Sequence, residues 1–179
     1  SGEGQFAGPL GIAASPDGDI YVADAGNNRV VHLRYNEDGS ITWLGTVGSD
    51  FNHPTGVALD SKGAIYIADE GNNRVVVLEP SGKLRSTWTR ELSRPRELAV
   101  IDRDAPDNDN KDNFVAVIDN RQRRISMFDT YGDLKVRITN KEMGYEDVAF
   151  AYLAIDRSGS IYVTDMYNHQ VHKFDRHLN

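Results

Sequence analysis

The stretch Ile20-Tyr21-Val22-Ala23-Asp24, followed after two residues by Asn27-Asn28-Arg29-Val30, returns 45 residues later as Ile65-Tyr66-Ile67-Ala68-Asp69 and Asn72-Asn73-Arg74-Val75. The flanking segments move with it. Pro9-Leu10-Gly11-Ile12-Ala13 and Asp17-Gly18 recur as Pro54-Thr55-Gly56-Val57-Ala58 and Lys62-Gly63. A third copy is more diverged and reads Pro95-Arg96-Glu97-Leu98-Ala99, Val115-Ala116-Val117-Ile118-Asp119 and Arg124-Ile125. The fourth runs Phe150-Ala151-Tyr152-Leu153-Ala154, Ser158-Gly159, Ile161-Tyr162-Val163-Thr164-Asp165 and Gln170-Val171. A fixed period of this length marks a repeat architecture.

Within each copy the apolar runs are short, rich in β-branched and aromatic residues, and separated by Asp-Gly, Lys-Gly, Gly-Asn-Asn or Ser-Gly turns. No run is long enough, with a 3.6-residue period, to predict a helix. The second copy predicts strands near 55–59, 64–68, 74–79 and 83–88. Short meandering strands at this period predict an all-β propeller, each copy forming a four-stranded blade packed face to face on its neighbours. The blades fall at about 6–48, 51–90, 92–138 and 145–179, the last ending after its third strand.

These residues resemble the NHL repeat family of β-propellers. Its pattern Pro-x-Gly-Ile-Ala, Gly-x-Ile-Tyr-Val-Ala-Asp and Asn-Asn-Arg-Val is met almost letter for letter in the first two copies. The resemblance implies a ring that usually closes with six blades, or roughly 270 residues. The four blades seen are then part of a ring completed by further blades or by another chain. It also implies a non-catalytic interaction or sensor module that offers a loop-built rim to a protein or peptide, and it favours an extracytoplasmic or envelope-associated setting. Fold alone does not fix function. Similar propellers include a peptide-amidating lyase with axial histidines on a metal, and lactonases with an axial calcium. The inner strands here carry no His, and Glu97 alone makes no such site, so an axial metal would need blades outside this chain. Some animal relatives bind single-stranded RNA on a basic rim; Arg96, Arg121, Arg123 and Arg124 are the feature here that matches.

Composition narrows these classes. Of 179 residues, 39% are hydrophobic and 26% charged, as in an ordinary globular protein. The 27 acidic side chains exceed the 20 basic ones and leave a formal charge of −7, which argues against a broad nucleic-acid-binding face. There is no cysteine, so disulfides and thiolate metal sites are excluded. No apolar run approaches the roughly 20 residues of a membrane-crossing helix. A nucleophile elbow and a phosphate-cradling glycine loop are also missing from the sequence.

The recurring residues have structural explanations. Asp24, Asp69, Asp119 and Asp165 end second strands, while Arg29, Arg74 and Arg124 begin third strands, which predicts a carboxylate–guanidinium clasp across a tight turn. Gly11 and Gly56 predict close backbone approach on the innermost strands. Function is expected where copies depart from the pattern, on the loop face around the axial mouth. Copy three places Arg96 and Glu97 at its first strand, and Arg121 and Arg123 in its turn; copy four places Tyr152 at the glycine position, with Tyr167 and His169 in its turn. Tyr and Arg are frequent anchors of protein contacts. No cofactor is expected. In the inserted hairpin 102–113, Asp104, Asp107 and Asp109 would offer oxygen ligands to calcium, but the glycine and glutamate of the helical calcium loop are lacking, which favours a solvated hairpin. His32 and His172 are expected at equivalent packing positions on third strands.

Overall fold

The computed structural model describes residues 4–101, 113–156, 158–175 and 177–179. Asp104, Asp107 and Asp109, with the rest of segment 102–112, lie outside them. Among the described residues fifteen strands form four antiparallel meanders, each hydrogen-bonded in sequence order. Blade one contains β1 (Pro9–Ala14), β2 (Asp19–Asp24), β3 (Arg29–Tyr35) and β4 (Ile41–Val47). Blade two contains β5 (Pro54–Leu59), β6 (Ile65–Asp69), β7 (Arg74–Leu78) and β8 (Leu84–Trp88). Blade three contains β9 (Pro95–Ile101), β10 (Phe114–Asp119), β11 (Arg124–Asp129) and β12 (Leu134–Thr139). Blade four has three strands, β13 (Phe150–Ile155), β14 (Ile161–Asp165) and β15 (Gln170–Phe174). The arrangement is a propeller, as the repeat predicts.

The continuous apolar runs follow from burial on both faces. Side chains alternate across a strand, so in β6 Ile65 and Ile67 join Tyr21, Ala23 and Val30 of blade one, while Tyr66 and Ala68 join Val115, Val117 and Phe128 of blade three. β10 divides in the same way. Val115 and Val117 meet blade two, and Ala116 and Ile118 meet Phe150, Ile161 and Val163 of blade four. The core is thus three slabs between four sheets. Each fully buried aliphatic side chain in it stabilises the stack by about 1.5–3 kcal/mol. The outermost strands β4 and β8 meet solvent on one side, which is why their burial alternates instead of running unbroken.

The innermost strands β1, β5, β9 and β13 succeed one another around the axis. A Cβ added to Gly11 would lie 2.5 Å from the Thr55 carbonyl oxygen, and one added to Gly56 would lie 2.9 Å from that of Arg96. Both glycines therefore permit backbone-to-backbone contact between neighbouring blades. Thr55 reinforces the second contact by donating its hydroxyl to the Arg96 carbonyl at 2.6 Å.

Candidate functional site

The turn from second to third strand is built on one plan. In blade one, Asp24 accepts from the Ala7 amide at 2.7 Å, from Asn27 Nδ2 at 2.8 Å and from Arg29 Nε at 2.7 Å. Blade two repeats this: Asp69 takes the Asn52 amide at 2.8 Å, Asn72 Nδ2 at 2.8 Å and Arg74 Nε at 2.6 Å. The carboxylates are fully buried and the arginines are tied a second time, to the carbonyls of Gln5 and Asp50. The clasp predicted from the spacing is present, and its business is structural.

The next turn position is left-handed in all four blades, with φ of 53° at Asn28, 53° at Asn73, 50° at Arg123 and 56° at His169. This residue reaches the following blade. Asn28 Oδ1 accepts from the His53 amide at 2.7 Å and Asn73 Oδ1 from the Arg94 amide at 2.9 Å. In blade three the staple becomes an ion pair, Arg123 Nε to Asp147 Oδ1 at 3.0 Å. His169 occupies the same position in blade four and has no such partner among the described residues. Staples of this kind fix each turn relative to its neighbour and make the rim rigid.

On that scaffold the departures of blades three and four surround an open cleft of about 490 Å³. Arg96, Arg121, Arg123 and Tyr167 line it, with Met166 beside Tyr167. Arg96 is the residue skipped by the register shift where β9 leaves β10, since Asp119 pairs with Pro95 and Ile118 with Glu97. Such bulges re-aim a side chain, and here Arg96 turns to the cleft. Two carboxylates also stand at the cleft. The nearly buried Glu70 accepts from Arg94 Nη2 at 2.7 Å and Nε at 3.0 Å and faces His53 Nδ1 at 3.2 Å, while Asp147 holds Arg123. The side chains of Arg96 and Arg121 have no hydrogen-bond or ion-pair partner among the described residues, although the charge of Arg96 acts on Glu97.

The other expected site residues are placed elsewhere. Glu97 and Tyr152 line a separate axial cleft of about 540 Å³ among the inner strands, together with Leu10, Ile12 and Leu153. Burial raises the Glu97 carboxyl to about 7, against the Leu98 amide at 3.1 Å and the positive charge of Arg96, which favour the anion. Tyr152 is 57% exposed. The expected single rim is therefore two clefts, and His169 lines neither of them.

His32 and His172 are not equivalent. Val22 pairs with Val31, so His32 stands opposite Tyr21, whereas His172 stands opposite Val163. Adjacent strand positions face opposite sides. His32 accordingly meets Asp19 at 2.7 Å and stacks on Tyr21, while His172 meets Asp165 at 3.2 Å between Tyr145 and Phe150.

Glu70 and Arg94 were not singled out by sequence reasoning. The signal was there: Glu70 stands where copy one has Ala25, and Arg94 precedes Pro95 where copy one has Gly8, in a left-handed conformation with φ 58°. What no repeat alignment contains is that these two, far apart in sequence, meet across the junction of blades two and three.

The family model described as NHL repeat matches residues 6–33, 51–78 and 153–174. No curated protein matches the sequence. Among solved structures, a catalytically inactive virginiamycin B lyase from Staphylococcus aureus with quinupristin is 15% identical with a TM-score of 0.71, over 96% of this chain and 53% of that one. A propeller in a nidogen/laminin complex is 18% identical with a TM-score of 0.70, over 93% of this chain and 60% of that one. The hydrazine synthase of Kuenenia stuttgartiensis is 14% identical with a TM-score of 0.65, over 97% of this chain and 52% of that one. The chain spans between half and two thirds of the length of each. At these identities the likeness is one of fold.

Proposed function

We propose that this chain, a β-propeller built of NHL repeats, is a non-catalytic interaction or sensor module that holds a protein or peptide partner in the cleft between the rims of blades three and four. The supporting observation is the coincidence of rigid framing with sequence departure: Arg96 at the bulge of β9, and Arg121 and Tyr167 at turns whose backbone is tied to buried carboxylates, line one cleft. Arginine and tyrosine on a fixed frame bind without a large ordering cost. The propeller of the nidogen/laminin complex is a structural neighbour of the same fold class, although its partner says nothing of this one.

Arg121→Ala and Tyr167→Ala are expected to weaken capture of a partner from native extract by roughly tenfold each, about 1.4 kcal/mol. Both side chains are exposed, so the melting temperature should hold. Capture unchanged in both variants would place the partner elsewhere.

A lyase-like or lactonase-like reading, with an axial metal completed by other blades, is favoured by one observation, the raised carboxyl of Glu97 in the axial cleft. Glu97→Gln separates the two. On the interaction reading partner capture persists; retention of a metal lost in Glu97→Gln would favour the axial reading.

We also infer that further β-sheet, whether more blades or another chain, covers the free faces of blades one and four. Ile12 is 69% and Leu10 47% exposed beside Phe6, Val22 and Leu33 on blade one, and Val171 is 65% exposed on blade four. Apolar sheet faces of this kind associate. Light scattering on this chain should show mass rising with concentration, and Ile12→Glu should reduce it. A sharp monomeric peak with cooperative unfolding would count against this inference.

A further inference from the structure

Resting on the rim cleft as the partner site, we infer that the segment it recognises is an acidic peptide, whose carboxylates are taken by Arg96 and Arg121. Four guanidinium groups line the cleft, but two of them are already engaged: Arg94 by Glu70 at 2.7 Å and Arg123 by Asp147 at 3.0 Å. Arg96 and Arg121 face it with no carboxylate hydrogen-bonded or ion-paired to either guanidinium among the described residues. Arg96 is half-buried and acts on Glu97 through its charge alone, with no hydrogen-bonded carboxylate of its own among the described residues, so a ligand carboxylate would supply the close pairing that favours a guanidinium withdrawn from water. The fork of an arginine accepts a carboxylate through two parallel hydrogen bonds, which gives direction as well as attraction.

The overall charge of −7 does not oppose this, because interactions between exposed charges fade over about 8 Å at physiological salt. The lining of the cleft itself carries four cations and two anions. The same two anions argue against a nucleic acid. A strand of RNA brings a regular file of phosphates, each of which the carboxylates of Glu70 and Asp147 in the lining would repel. Beside the arginines, Met166 and Tyr167 are 57% and 63% exposed, a surface on which an apolar or aromatic neighbour of the acidic residues can lie.

The probe is a fluorescein-labelled octapeptide, Gly-Ser-Glu-Asp-Tyr-Glu-Gly-Ser, compared by fluorescence anisotropy on the intact chain with its Gln-Asn-Tyr-Gln isostere and with a single-stranded RNA octamer at about 0.15 M salt. The acidic peptide is expected to bind roughly tenfold more tightly than the isostere. Arg121→Gln should remove most of that preference, and Arg96→Gln should do the same. Arg121 is exposed and its replacement leaves the fold intact, so it keeps the test valid should Arg96→Gln unfold. Equal binding of the two peptides overturns the inference. If that equal binding still falls in Tyr167→Ala, the rim cleft survives as a partner site without acid selectivity. An acid preference that persists in Arg121→Gln and Arg96→Gln places the carboxylates elsewhere, and RNA binding above the acidic peptide replaces the peptide reading with a nucleic-acid one.

Discussion

Asp69→Ala is expected to lower stability by about 3 kcal/mol, because three donors lose a buried acceptor at once. The Asn52 amide, Asn72 Nδ2 and Arg74 Nε all converge on this carboxylate. With a urea dependence near 2 kcal/mol/M, the midpoint should fall by about 1.5 M at unchanged slope. Asp119→Ala should cost distinctly less, and the reason lies in one residue. Gln122 stands where the other blades have Asn27, Asn72 and Asn168, and among the described residues Asp119 Oδ1 has no hydrogen-bond partner, nor have Arg124 Nε and Ser126 Oγ. Gln122→Asn should then recover roughly 1 kcal/mol by supplying the missing donor. Equal losses from Asp69→Ala and Asp119→Ala would show that the clasp contributes through backbone geometry and not through these bonds.

Acid should expose the same difference between blades. Asp165 is held at about 2, below its ordinary 3.8, because bonds from Asn168, the Ala149 amide and His172 outweigh the burial that disfavours its charge. A depressed carboxyl stabilises the fold above its unfolded value, and that stability disappears as pH falls through its folded value. Asp119 behaves oppositely. Burial raises it despite the Ser93 amide and Arg124, so it costs stability while charged and returns that stability on protonation.

Strand positions were legible because the second and third strands of the two middle blades are buried on both faces. The run Ile65–Asp69 is therefore apolar without interruption until the clasp carboxylate ends it, within a residue of the expected 64–68. The rim was legible only in part. Arg96 and Glu97 are neighbours in sequence and were expected on one surface, but a strand sends adjacent side chains to opposite sides, and the bulge at Arg96 sharpens the separation. Glu70 with Arg94, and Arg123 with Asp147, join residues of successive blades that are 24 positions apart in both cases. Local periodicity encodes which face a strand buries; it contains nothing about which side chain of the next blade comes to meet it.

Trp88 is the strongest case of such hidden contact, and Trp88→Ala should be the most damaging substitution, at about 4 kcal/mol or a fall of roughly 2 M in the urea midpoint. It ends an outer strand, on the face opposite the exposed Arg85 and Thr87, and is only 4% exposed. Its ring meets Tyr66 edge-on at 5.9 Å and Phe128 at 5.9 Å, filling the slab between blades two and three, and Nε1 donates to Ser86 Oγ at 3.2 Å. Across the slab lies Gly132, with φ of 92°, where an added Cβ would fall 2.5 Å from the indole Cδ1. The indole therefore determines the glycine as much as the turn does. Gly132→Ala alone should cost about 2 kcal/mol through overpacking and the left-handed backbone. Once Trp88→Ala has removed the ring, the steric part of that cost vanishes, and the double variant should be more stable than the sum of the single losses by about 1 kcal/mol. Strict additivity would mean that the turn conformation alone selects glycine. Because Arg94 and Glu70 bridge these same two blades at the rim, loosening the slab should also weaken partner capture, whereas Gln122→Asn, which tightens blade three from within, should leave it intact.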